Sequence, residues 1–168
     1  MLVRWLRLLK LEVKTTYLFN MKDQLTRKRL LDAALQYLGV KEVEGPGSNP
    51  IIIEWFKNWG VSWQEDDSKL AWCAVFMNEV CKQAGIAGTG KLNARSFLNA
   101  GEPTDKPLPG DFVVFWRGSI NGWKGHIGIY IREDDKYIWT LGGNQANEVR
   151  ISKYAKSRLL EYRTPISL

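Results

Sequence analysis

A thiol and an imidazole together can open an amide bond, and this chain holds two cysteines, Cys73 and Cys81, and a single histidine, His126. A thiol attacks a carbonyl only as thiolate, and a helix N-terminus favours that form through its dipole and its unpaired N–H groups. The same N–H groups can hold the oxyanion that follows attack. Cys73 stands at such a place. In LAWCAVFMNEVCKQAG, residues 70–85, Cys73, Met77, Val80, Cys81 and Ala84 fall on one helical stripe, and Gly85 supplies a stop. Cys81 lies inside the stripe and reads as a small buried hydrophobe. His126, in WKGHIGIY, opens a strand between two glycines, and its near-neutral pKa suits it to take a thiol proton and return it to a leaving amine. A third polar group should orient the imidazole through its second nitrogen. Asn144, after the strand YIWTLGG, is level with His126 on the neighbouring strand, and Gln145 can do the same from a shifted register. Each residue also has a plain packing or turn role available to it.

The elements that must position these residues are legible in part. Leu30, Leu31, Ala34 and Leu38 recur at helical spacing between Thr26 and Leu38. GVKEVEGPGSNP, residues 39–50, is a loop, and Asn49 and Pro50 then cap and open a helix from Ile51 to Trp59. Residues 64–68, QEDDS, form a polar approach to Cys73. A further short helix is expected over Ala94 to Leu98. The pattern then changes to strands: LPGDFVVFW at 108–116, HIGIYIRE at 126–133 and YIWTLGG at 137–143, the last two joined by a turn at Asp134-Asp135-Lys136. A last strand includes Leu160 to Arg163. Helices followed by antiparallel strands give an α+β domain, with the helices on one face of the sheet.

Length and composition bound the rest. With 168 residues, 45% hydrophobic and 25% charged, the chain suits one globular core without disulfides or a structural metal. On one helix the two cysteines would stand about 12 Å apart, too far for a disulfide. Two cysteines and one histidine do not supply the usual zinc ligand set. The net charge of +6 is compatible with an anionic partner, but the basic residues form no long run and no nucleic-acid recognition motif is present. Of the eight tryptophans, Trp72, Trp116 and Trp123 flank the candidate site in sequence and are candidates for stacking on a substrate, with core packing the alternative for Trp72. Residues 1–20 mix apolar and charged residues too finely for a signal peptide or a membrane span. They read as an appendage, dispensable for catalysis, to a domain over 21–168.

The motifs carry a resemblance. Trp72-Cys73-Ala74, the Pro109 to Gly118 segment PGDFVVFWRG, Gly125-His126-Ile127-Gly128 and Gly142-Gly143-Asn144-Gln145 resemble the CHAP and NlpC/P60 group of peptidoglycan hydrolases, and in particular a small phage- and prophage-associated branch. Their order and spacing, 53 residues from Cys73 to His126 and 18 from there to Asn144, carry more than any single motif. The resemblance covers roughly residues 26–165. It implies a papain-like fold, with Cys73 as nucleophile, His126 as base and Asn144 as the orienting residue. It also implies an endolysin-like amidase or endopeptidase acting on peptidoglycan without a cofactor. Gln64 is a candidate second oxyanion donor, and Asp111, in the PGD position, reads as a turn residue that leads into the strand. The expected protein is a monomer made in the cytoplasm, without stable membrane insertion, that reaches the wall by another route. No wall-binding module is recognisable. The alternative is the same fold kept as a non-enzymatic wall- or protein-binding module or a phage structural component.

Overall fold

A computed structural model of the chain describes residues 2–44, 47–61 and 71–168. Three helices lead: α1, Leu2–Leu35; α2, Pro50–Asn58; and α3, Cys73–Ala84. A 3-10 turn, Ala94–Asn99, then opens a region of six strands. These are β1, Glu102–Thr104; β2, Phe112–Trp116; β3, Gly125–Glu133; β4, Tyr137–Gly142; β5, Arg150–Ala155; and β6, Leu159–Thr164. They form one antiparallel sheet in the order β1-β6-β2-β3-β4-β5. The fold is α+β, as the change of sequence pattern implies.

Helix α3 is the centre of the core. Every residue from Cys73 to Cys81 is buried. It packs against α1 and α2 and against β3 and β4. Gly85 ends it in the left-handed conformation, φ 64°, which a residue without Cβ adopts without strain. Asn49 caps α2 by accepting the Ile51 N–H at 2.9 Å, and Pro50 opens it. Two apolar clusters clothe the two faces of the sheet. The larger includes Phe112, Val114, Ile127, Ile129 and the helices; the smaller joins Val113, Phe115, Tyr130, Ile138 and Tyr162. That explains why β2 reads as a continuous apolar run and not as an alternation.

Helix α1 is longer than the periodicity over 26–38 implies. It crosses the expected boundary at residue 20 without a break. Among its described side chains the first buried one is Thr26, and Leu18, Met21 and Leu25 stand exposed. Arg27 ties α1 to the sheet: its Nε–H donates to the Asp111 carboxylate at 2.6 Å and an Nη2–H to Thr164 Oγ1 at 3.0 Å. The other Asp111 oxygen accepts the Leu108 N–H at 2.8 Å, so Asp111 closes the turn before β2. No described helix is long and apolar enough to cross a membrane.

Candidate active site

Cys73 is the first residue of α3. Trp72, in the cap position, offers no capping side-chain oxygen, so the first N–H groups of the helix are left to the thiol. Burial pushes the Cys73 thiol above its ordinary value. The Ile127 N–H, the Arg117 charge and the N–H groups of Ala74 and Cys73 itself pull the other way without overcoming it. The thiol is therefore protonated at rest, and attack requires a base. Cys73 lines a cleft of about 270 Å³ with Asn93, Arg117, Trp123, Lys124 and Gly125 among its other lining residues.

His126 is fully buried near the start of β3. Its partner at Nε2 is Gln145, whose Oε1 lies 3.0 Å away. The Gln145 amide is held from both ends. Its NH₂ donates to the Thr140 carbonyl at 3.1 Å and to the Arg150 carbonyl, so Oε1 must face the ring and also accepts the Thr140 hydroxyl at 2.9 Å. Nε2 therefore carries the proton, and Nδ1 keeps a free lone pair. The Arg117 Nη2 lies 3.2 Å from that Nδ1 and donates to it. Burial first, and the Arg117 charge second, lower the His126 pKa to about 3, against a smaller upward pull from Gln145. The imidazole is thus neutral. Tyr154 of β5 stacks on it with centroids 4.8 Å apart, and stacks at the same distance on Phe115, the register partner of His126 on β2. Among the described residues no hydrogen bond joins the Cys73 thiol to the His126 ring.

The hydrogen-bond partner of the imidazole Nε2 is Gln145 and not Asn144. Continuing the β3–β4 register of Ile129 with Leu141 would set Asn144 opposite His126, but β4 stops at Gly142. Asn144 takes a left-handed turn conformation, φ 55°, and the chain delivers the next side chain to the ring. Gly143 lets this turn lie on α3: a Cβ there would stand 2.6 Å from the Trp72 ring and 2.7 Å from the Phe76 Cβ.

The three tryptophans part company. Trp72 is fully buried, with its ring 5.9 Å from that of Trp55 and its indole N–H donating to Glu42 at 2.7 Å. It is a core residue, so no substrate can stack on it. Trp116 is half-buried, with its N–H on the Ser157 carbonyl at 3.1 Å and Arg158 over its ring. Trp123 is 71% exposed on the rim of the Cys73 cleft. Arg95 holds that rim by donating to the carbonyls of Ser119, Ile120 and Lys124. Cys81 is buried inside α3, where burial raises its thiol strongly. Gln64 lies outside the described residues. Sequence reasoning missed Arg117, Thr140 and Tyr154. Arg117 carries a signal, a cation one residue past a strand end within the PGDFVVFWRG motif; Tyr154 carries none, because the largely polar RISKYA segment of β5 shows no buried strand face in its sequence.

No family model matches the chain, and no curated protein does. Among solved structures it is similar to a Staphylococcus aureus protein described as similar to a lipoprotein of the NLP/P60 family. The TM-score is 0.50 and the identity 18%, over 83% of this chain and 41% of that one. The chain thus spans about two fifths of that protein's length. The likeness is one of fold, and it agrees with the papain-like, NlpC/P60-type arrangement of a leading helical part on an antiparallel sheet.

Proposed function

We propose that the protein is a cysteine hydrolase that cuts an amide bond of peptidoglycan, with Cys73 as nucleophile, His126 as base and Gln145 as the residue that orients it. The observation that carries this reading is a neutral, Nε2-protonated imidazole and a thiol at an uncapped helix N-terminus that share one neighbour, Arg117. In the reaction Nδ1 takes the thiol proton as sulfur bonds to the amide carbon. The backbone N–H groups of Cys73 and Ala74 then face the oxyanion. Nδ1 returns the proton to the leaving amine, which departs as the C–N bond breaks and the thioester remains. Water, deprotonated by the same Nδ1, clears the thioester and restores the thiol. Gln145 keeps the other ring nitrogen protonated throughout. The amidase and endopeptidase versions, and the CHAP-like phage or prophage setting, differ in the bond cut and the place of action and not in this chemistry.

The experiment is digestion of purified peptidoglycan, with the released fragments identified by mass. Fragments carrying one new amine and one new carboxyl end are expected, and their masses name the scissile amide. Intact peptidoglycan after prolonged digestion would reject the reading. One observation favours a second reading, the fold kept as a binding module: Nδ1, the nitrogen that must take the thiol proton, rests on Arg117 and not on sulfur. A chain of that kind would pellet with peptidoglycan and release nothing.

A further inference from the structure

Among the described residues the charge of the cleft is one-sided. Arg117 and Lys124 line it with Cys73, and none of its described lining residues carries a carboxylate. Among the described residues no carboxylate pairs with Arg117 either. Arg117 is half-buried, and its guanidinium makes contacts with the neutral His126 Nδ1 and with Tyr154. A neutral nitrogen is a weak partner for a guanidinium, which pairs about twice as strongly, and in a two-pronged fashion, with a carboxylate. Lys124 stands over the Trp123 ring at 5.8 Å, on the same rim. Arg95 cannot serve in this way, because backbone carbonyls occupy its donors.

We propose that Arg117 is the anion subsite of the cleft: it receives a substrate carboxylate close to the scissile amide, and in turning to it leaves His126 Nδ1 to the Cys73 thiol. The inference rests on the hydrolase reading and deepens it by naming the substrate class, an amide flanked by a free carboxylate. It also gives the Arg117–His126 contact a purpose. Arg117 on Nδ1 holds that nitrogen from the thiol, and a substrate without the carboxylate offers nothing to draw Arg117 away. Among the described residues the groups facing this centre are Cys73 from α3, His126 from β3, Gln145 from the turn after β4, Tyr154 from β5 and Lys124 from the rim. Apart from Cys73 and Tyr154, which are neutral as thiol and phenol, none of them is a potential anion.

Alkylation of Cys73 tests this without any turnover, so its failure and the failure of the hydrolase reading are distinguishable. Iodoacetate and iodoacetamide both form an S–C bond with loss of iodide and differ in charge. Their rate ratio cancels the thiolate fraction. Rates at Cys73 would be read by peptide mass in wild type, Arg117→Gln, Arg117→Lys and Lys124→Gln. The ratio of iodoacetate to iodoacetamide should fall roughly tenfold or more in Arg117→Gln, the scale of one charge-assisted contact. It should fall less in Arg117→Lys and little in Lys124→Gln. Acetate should slow iodoacetate in wild type and not in Arg117→Gln. An unchanged ratio in Arg117→Gln would overturn the proposal. So would an equal fall in Lys124→Gln, which would mean a diffuse field and no subsite. If Arg117→Gln fails to fold, the Arg117→Lys ratio and the acetate competition in wild type decide in the same sense.

Discussion

At the scale of residues, the state of His126 is the point on which the chemistry turns. It is the chain's only histidine, so nitrogen-15 NMR reads its ring without ambiguity. The expected spectrum is that of the neutral Nε2–H form, unchanged as the pH falls to about 5, where an ordinary histidine, with a pKa near 6.5, is charged. A ring that titrates near 6.5 would contradict the assigned burial and Arg117 contact. The same shift has a stability consequence. A folded-state pKa of about 3, below the ordinary 6.5, means that the unfolded chain binds the proton first. Stability from this group is therefore intact above about 6.5 and lost progressively as the pH falls toward about 3. A His126→Asn variant should show a flatter loss of Tm over that window. In the proposed hydrolysis Gln145 acts through the ring. Loss of the base should cost about 100- to 10,000-fold in kcat/KM, and Gln145→Ala less. Because groups acting as a unit are not additive, the double variant should scarcely differ from His126→Ala alone. Two losses that multiply would place the role of Gln145 elsewhere.

At the scale of elements, what brings the site together is the fit of the turn after β4 on α3. Gly143→Ala would drive a methyl into Trp72 and Phe76 and should cost about 1–3 kcal/mol, the range for overpacking. Thermal unfolding measures it, and an unchanged Tm would show that the turn can lift away. This turn also marks where sequence reasoning stopped short. The start of α3 at Cys73, its stop at Gly85, the Asn49-Pro50 opening of α2 and strands β2, β3 and β4 were legible, because each carries a period or a cap. The choice between Asn144 and Gln145 was not. It depends on β4 ending at Gly142 and on the left-handed Asn144, a backbone event that no hydrophobic period records. Strands β1 and β5 were invisible for a related reason. They are edge strands, largely exposed, and β1 is three residues with a central proline. Trp72 was ambiguous because an indole beside a nucleophile and an indole in a core look alike until the Glu42 partner is known.

At the scale of the whole molecule, the domain is held by α3 between the other helices and the sheet, and by Arg27 and Asp111 between α1 and the sheet. Both ties lie beyond residue 20. Removing residues 1–20 should therefore leave the far-ultraviolet circular dichroism of the remaining domain and its cooperative unfolding intact. Loss of the transition would show that this part of α1 belongs to the core. Cys73 lines the same cleft as Arg117, Lys124 and the exposed Trp123, so in the proposed hydrolase a single substitution can separate binding from chemistry. Cys73→Ala removes one sulfur and keeps the cleft. The decisive measurement for Cys73 as nucleophile is this variant's rate of fragment release from purified peptidoglycan, compared with wild type and with Cys81→Ala. Release at the level of the enzyme-free blank is expected for Cys73→Ala, with circular dichroism and peptidoglycan binding unchanged, and near-wild-type release for Cys81→Ala. Release by a folded Cys73→Ala at the wild-type rate would rule Cys73 out as the nucleophile.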